Sequence, residues 1–246
     1  MRFAEFKGRM LAGEYLAGTF LKTPAYELVE VLASSGLDFL CLDAEHAPFD
    51  RARMDFPTLV RPASASPEAS LQALDAGAVG IVAPHVDSAE KAQALARAGH
   101  YGLGGRGFAG ATRSAGFATR KMGDVLGDSQ STVLIAQIEE PAGVDAVDEI
   151  AAVPGIDGLF VGPADLSVGY GKTDQSSEEL RAAYARCGAA AKAAGKAYMT
   201  FVGSAAQAEA LLPHGLTTFF IASEHNWMRQ VARDEAQGIK SLPKSG

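Results

Sequence analysis

The chain has 246 residues, 48% of them hydrophobic, with 29 acidic against 22 basic side chains, a net charge of −7 and a pI near 5.3. That length and apolar content suit one large core rather than two domains. The acidic balance argues against a nucleic-acid surface, which needs clustered Lys and Arg, and no apolar run approaches the roughly 18 residues that suggest a membrane span.

The N-terminal MRFAEFKGRM lacks the apolar stretch of a secretory leader, and a cytoplasmic location is expected. Cys41 and Cys187 have no Cys or His neighbours at ligand spacing and read as packed thiols.

Short β-rich runs alternate with longer Ala-rich amphipathic runs, the pattern of βα units around a parallel sheet. The predicted strands are 16–22, 39–45, 58–62, 78–86, 132–139, 158–162, 197–203 and 217–223. Predicted helices span 24–34 after Thr23, 67–76 after Ser66, 88–98 after Asp87, and 141–153 with Pro141 in the first turn. Gly36, Gly77, Gly99, Gly155, Gly195 and Gly215 follow helices, where a left-handed residue is expected. A closed (β/α)8 barrel over residues 1–246 fits this punctuation; the dinucleotide fingerprint of an open doubly wound sheet is missing after the first strand. The segment 101–130, with Arg106, Arg113 and Arg120, reads as a long loop of lid, subunit-contact or merely solvated character.

Several strand runs stop on chemically capable residues, which places them on one rim of the barrel. Glu139 ends the fifth strand and Asp165 follows the sixth, and neighbouring strands about 4.8 Å apart let both carboxylates converge on one divalent cation. An acidic strand end at Glu139-Glu140 and a helix cap at Asp165 would look the same. The turn Gly162-Pro163-Ala164-Asp165-Leu166-Ser167 offers backbone N–H groups to a substrate anion, or is an ordinary capped loop. Asp43, Glu45 and His46 form a second cluster in which an acid can orient an imidazole as a base. His85 ends a strand run, while His100, His214 and His225 lack a comparable setting. Arg61 supplies a planar cation for a carboxylate or a developing enolate, or a salt bridge to a rim acid.

At these residues the chain resembles the HpcH/HpaI aldolases, metal-dependent pyruvate aldolases acting on 2-keto-3-deoxy and hydroxy-keto acids. The resemblance rests on Leu42-Asp43-Ala44-Glu45-His46-Ala47-Pro48, Val60-Arg61-Pro62, Gln137-Ile138-Glu139 and Gly162-Pro163-Ala164-Asp165-Leu166-Ser167, in that order along nearly the whole chain. It implies a (β/α)8 barrel in a homo-hexamer, a trimer of dimers, with the C-terminal helix at a subunit interface. It implies Glu139 and Asp165 as ligands of Mg²⁺, Mn²⁺ or Co²⁺, His46 with Asp43 as the proton-transferring dyad, and Arg61 on the enolate oxygen. Gln137 and Glu45 would orient metal-held waters, and the amides of Ala164 and Asp165, in the Gly162-Pro163 turn, would hold the carboxylate of pyruvate or hydroxypyruvate. Phe201 would line the side that receives the aldehyde, and Asp75 would match an acid that reaches a neighbouring subunit's site.

Two departures from the family pattern matter. Fourteen residues separate His46 from Arg61, so a shortened or irregular second helix is expected there. His100 to Gly107 stands in place of a Tyr-Pro-Pro run, so a loosely held Arg106 is expected. The competing readings are a citrate-lyase-β or malyl-CoA-type lyase, which would need a basic groove for coenzyme A, and a catalytically silent barrel serving as a binding protein. Lys22, at the end of the first strand run, is the main residue that could support a Schiff-base mechanism instead.

Overall fold

A computed structural model describes residues 3–45 and 56–242. Eight parallel strands close on themselves in sequence order: β1 (Leu16–Leu21), β2 (Phe39–Asp43), β3 (Thr58–Arg61), β4 (Gly80–Ala83), β5 (Val133–Ile138), β6 (Gly158–Val161), β7 (Ala197–Val202) and β8 (Thr218–Ser223). The (β/α)8 barrel expected from the alternating pattern is therefore the fold. The ladder ends one residue short of several predicted strands, and in β4 it covers only the centre of the predicted 78–86 run.

The helices are α1 (Phe3–Leu11), α2 (Tyr26–Ala33), α3 (Pro67–Asp75), α4 (Ala89–Gly99), α5 (Met122–Asp128), α6 (Pro141–Asp145), α7 (Val147–Ala151), α8 (Pro163–Gly169), α9 (Glu178–Ala194), α10 (Ala205–Leu211) and α11 (Glu224–Lys240). Ser66 caps α3 as predicted, its Oγ accepting from the Ala69 N–H. The α4 cap is Ser88, one residue after the predicted Asp87, because its Oγ reaches the Lys91 N–H. Helix α2 starts later than predicted, with Ala25 rather than Thr23 before it. The predicted 141–153 helix is two short ones, broken at Ala146. Gly36, Gly77, Gly155, Gly195 and Gly215 adopt positive φ. Gly99 does not: it is the last helical residue of α4, and a Cβ there would lie 2.4 Å from Leu134 Cδ1, so close packing explains this glycine.

Two apolar layers hold the barrel together. The outer one packs strand residues such as Leu40, Ile81, Leu134 and Leu159 against Leu74, Leu95, Ile150 and Leu180 of the surrounding helices. The inner one fills the barrel with Phe20, Phe39, Cys41, Leu59, Val82, Ile135, Phe160, Met199 and Phe220. Aromatic rings form a chain through it, Phe39 to Phe220 at 4.9 Å and Phe220 to Phe160 at 4.8 Å between centroids. Phe39 fits because Gly18 faces it: a Cβ on Gly18 would sit 2.3 Å from the ring.

Phe6 and Met10 of α1, both fully buried, join this inner layer where the strands begin, with Phe6 5.3 Å from Phe39. They seal the N-terminal mouth. Chemistry is thereby confined to the opposite rim, where the strands end. Within the described residues, no helix is long and apolar enough to cross a membrane.

Candidate active site at the C-terminal rim

The parallel register lines up the strand ends. Asp43 pairs with Arg61 across β2 and β3, and Ile138 with Val161 across β5 and β6, which sets Glu139 beside Gly162. A Cβ on Gly162 would lie 2.8 Å from Glu139 Cβ and 3.2 Å from its Oε2. Glycine at this helix cap therefore makes room for the Glu139 carboxylate.

Asp43, fully buried, is the hub of the first cluster. Lys22 Nζ donates to Oδ2 at 2.6 Å, and Arg61 donates from Nη2 to Oδ2 at 3.0 Å and from Nε to Oδ1 at 3.3 Å. Arg61 Nε also lies 3.0 Å from Glu45 Oε2, and the guanidinium stacks 4.4 Å above the Phe20 ring. Burial pulls the Arg61 pKa down, but Asp43 and Glu45 outweigh it, so the group is held firmly cationic. Lys22, the candidate for a Schiff base, is engaged as an ammonium with Asp43, and its nitrogen has no free lone pair in that state. His46 and the crossover 46–55 lie outside the described residues.

The second cluster gathers Glu139, Glu45 and His85. The His85 N–H donates to Glu139 Oε1 at 2.7 Å, and His85 Nδ1 lies 3.3 Å from the same oxygen and 2.8 Å from Glu140 Oε1. His85 Nε2 lies 3.4 Å from Glu45 Oε1. The Gln137 Nε2 amide donates to Glu139 Oε2. Burial raises the Glu139 pKa, and the Gln137 amide, the His85 N–H and the imidazole offset this only in part. Desolvation lowers the His85 pKa, yet the surrounding carboxylates leave it net raised. The His85 shift reports the carboxylates around it, whereas the Glu139 shift reports chiefly its burial.

That arrangement fits a cation. One ligand atom each from Glu45, His85 and Glu139 lie within 4.8 Å of one another. Gln137 Oε1, buried, finds no hydrogen-bond partner among the described residues. Asp165 is not in this trio; it is exposed on the adjoining cavity wall.

The cavity, about 300 Å³, is lined by Arg61, Gln137, Gly162, Pro163, Ala164 and Asp165, by the rings of Phe20, Phe160 and Phe201, and by Lys22 and Asn226. The rim thus brings together Asp43, Glu45, Arg61, Gln137, Glu139, Gly162, Pro163, Ala164, Asp165 and Phe201. Sequence reasoning gave His85 no partners and Phe20 no role. The only signal for His85 was its place at a strand end.

The long segment 101–130 is more ordered than a plain loop, since α5 lies within it. Arg106, expected to be loosely held, is buried: it is ion-paired with Asp75, and Tyr101 stacks 4.6 Å from its guanidinium. The planar fork and the ring together fix it where the Tyr-Pro-Pro run is missing. Asp75 is accordingly engaged within its own chain.

Comparison with known proteins agrees with this geometry. The family model described as HpcH/HpaI aldolase/citrate lyase matches residues 16–229. A hydroxypyruvate/pyruvate aldolase of Paraburkholderia phytofirmans is 32% identical, covering 96% of this chain and 97% of its own. A hydroxypyruvate/pyruvate aldolase of Roseovarius nubinhibens is 37% identical over 77% of this chain and 80% of its own. The crystal structure of an HpcH/HpaI aldolase/citrate lyase family protein from Burkholderia cenocepacia J2315 superposes with a TM-score of 0.90 at 32% identity, covering 97% of this chain and all of that one.

Proposed function

The chain belongs to the HpcH/HpaI aldolase/citrate lyase family, and from that premise we propose that it is a divalent-metal-dependent aldolase. It cleaves a 2-keto-4-hydroxy acid reversibly to pyruvate or hydroxypyruvate plus an aldehyde. The observation that carries this reading is the cavity of about 300 Å³ whose polar wall, Arg61, Gln137 and Asp165, adjoins the buried Glu139 and its acidic neighbours.

Glu139 and Asp165 would hold Mg²⁺, Mn²⁺ or Co²⁺, and Glu45 and Gln137 would orient water beside it. The ion, when bound, supplies an electrophile that polarises the carbonyl of a 2-oxo acid and makes its C3 proton removable near neutral pH. Arg61, pinned by Asp43 and Glu45, presents its fixed positive charge to the developing enolate oxygen. The Ala164 and Asp165 amides, in the first turn of α8 where intrahelical acceptors are lacking, bind the donor's carboxylate. His46 and Asp43 pass the proton through water, and in cleavage they receive it from the C4 hydroxyl. Phe20, Phe160 and Phe201 exclude water on the side where the aldehyde sits, which favours small acceptors.

A coenzyme-A-dependent lyase finds less support, since the cations lining the cavity, Lys22 and Arg61, are both engaged by Asp43. The chain forms a cytoplasmic homo-hexamer, a trimer of dimers. That reading is supported by the exposed Met228, Val231 and Ile239 of α11, an apolar face suited to a subunit interface, and by two free cysteines.

The test follows the pyruvate methyl signal by NMR in D₂O, with and without EDTA. Metal-dependent loss of that signal is expected, and it should vanish in Glu139→Ala and Asp165→Ala. Exchange that ignores EDTA and is trapped by borohydride would point to Lys22, and no exchange with any metal would leave a silent barrel.

A further inference from the structure

The imidazole of His85 stands at the mouth of the acidic cluster with both ring nitrogens turned towards carboxylates. It lies 3.3 and 2.8 Å from Glu139 and Glu140 through Nδ1, and 3.4 Å from Glu45 through Nε2. The backbone is bent to put it there. His85 has φ of 55°, an uncommon conformation for a residue with a side chain, and its N–H is spent on Glu139 Oε1. Lys91 Nζ holds the His85 carbonyl at 3.0 Å and Asp87 at 2.6 Å, tying the turn to the start of α4.

We propose that His85 is a metal-ligating residue: one ring nitrogen joins the Glu139 carboxylate, with Glu45 alongside, so that the site prefers a first-row transition ion over Mg²⁺. This rests on the metal-dependent reading above and adds to it the choice of ion.

The distances support the assignment. Neighbouring donors of an octahedron with bonds near 2.1 Å stand about 3.0 Å apart, so the 3.3 Å between His85 Nδ1 and Glu139 Oε1 needs to contract by only a few tenths of an ångström, while Glu45 faces the other ring nitrogen, Nε2, at 3.4 Å. The side chain is 53% exposed, so nothing packed around the ring prevents that small adjustment. Carboxylates and water alone suit Mg²⁺, whereas an imidazole in the set raises affinity in the order Mn²⁺, Co²⁺, Ni²⁺.

The experiment titrates the metal-free full-length protein with MgCl₂, MnCl₂ and CoCl₂ by calorimetry, comparing wild type with His85→Phe, which keeps a planar ring without donors. His85→Asn, which tolerates the left-handed backbone, serves if the first variant does not fold. The preference for Co²⁺ over Mg²⁺ should fall by roughly 10- to 100-fold, with the Mg²⁺ constant nearly unchanged. Pulsed EPR of the Mn²⁺ protein should show nitrogen modulation that disappears in the variant.

An unchanged Co²⁺/Mg²⁺ ratio, or nitrogen modulation that survives the substitution, overturns the proposal and leaves His85 as an ion-pair partner of the acids. If metal-dependent pyruvate exchange is present in that case, the aldolase reading stands. A protein that binds none of the three ions overturns both.

Discussion

Replacing Gly162 by alanine adds one methyl group at the position where β6 hands over to α8. The backbone raises no objection, since φ of −90° and ψ of 92° suit any residue. The obstacle is Glu139, whose Cβ would lie 2.8 Å from the new methyl, about 0.7 Å inside the ~3.5 Å at which carbon atoms begin to attract. Overpacking of this kind costs roughly 1–3 kcal/mol. For a chain of this length that corresponds to a fall in Tm of roughly 2–12 °C. The functional loss should be larger, because shifting a working group by about 1 Å can cost on the order of 10²-fold in rate. Differential scanning fluorimetry and pyruvate exchange, measured on one preparation, separate the two effects. Gly123→Ala in α5, where a Cβ meets nothing within 4 Å, is the control and should leave exchange unchanged. A folded Gly162→Ala protein that exchanges pyruvate and binds metal like wild type would refute the claim that this glycine makes room for the carboxylate.

Arg61→Lys removes the fork that spans Asp43 and Glu45 and the stacking on Phe20, so exchange should drop by roughly 10²-fold or more while the positive charge is retained; steady-state kinetics at saturating metal measure it. Phe39→Ala empties the middle of the aromatic chain between Phe6 and Phe220 and should cost about 3–5 kcal/mol in urea unfolding. Burial pushes the Cys41 thiol well up and the Cys187 thiol up to about 12. A thiol reagent such as DTNB should therefore leave the native protein unlabelled and titrate both cysteines in denaturant; rapid labelling of the native protein would contradict the burial.

The barrel was legible because each of its strands is a short apolar run closed by turn residues, and each crossover is too long for a hairpin. What the pattern hid was local. The break at Ala146 carries no proline or glycine to mark it, and α5 is a glycine-punctuated helix of about two turns that looks like loop. Helix α1 reads as an ordinary charged start, although Phe6 and Met10 drive it into the barrel. In the site, motif order picked out Asp43, Arg61, Gln137, Glu139 and Gly162, whose contacts run between neighbouring strand ends. His85 was opaque for a geometric reason. Its acidic partners lie just after β5, 54 residues away, and just after β2, two strands over, and only the strand order β2-β3-β4-β5 of the sheet brings these ends to one place. Spacing alone does not separate Glu139 from Glu140; the family resemblance names Glu139, and the structure distinguishes the two by burial, 1% against 45% side-chain exposure.

The plug formed by Phe6 and Met10 turns the barrel into a vessel with a single door. Whatever is admitted over Arg61 and Asp165 must depart the same way. Both fragments of a cleavage therefore share one exit, and the slower of them to leave decides when the vessel is empty for the next substrate.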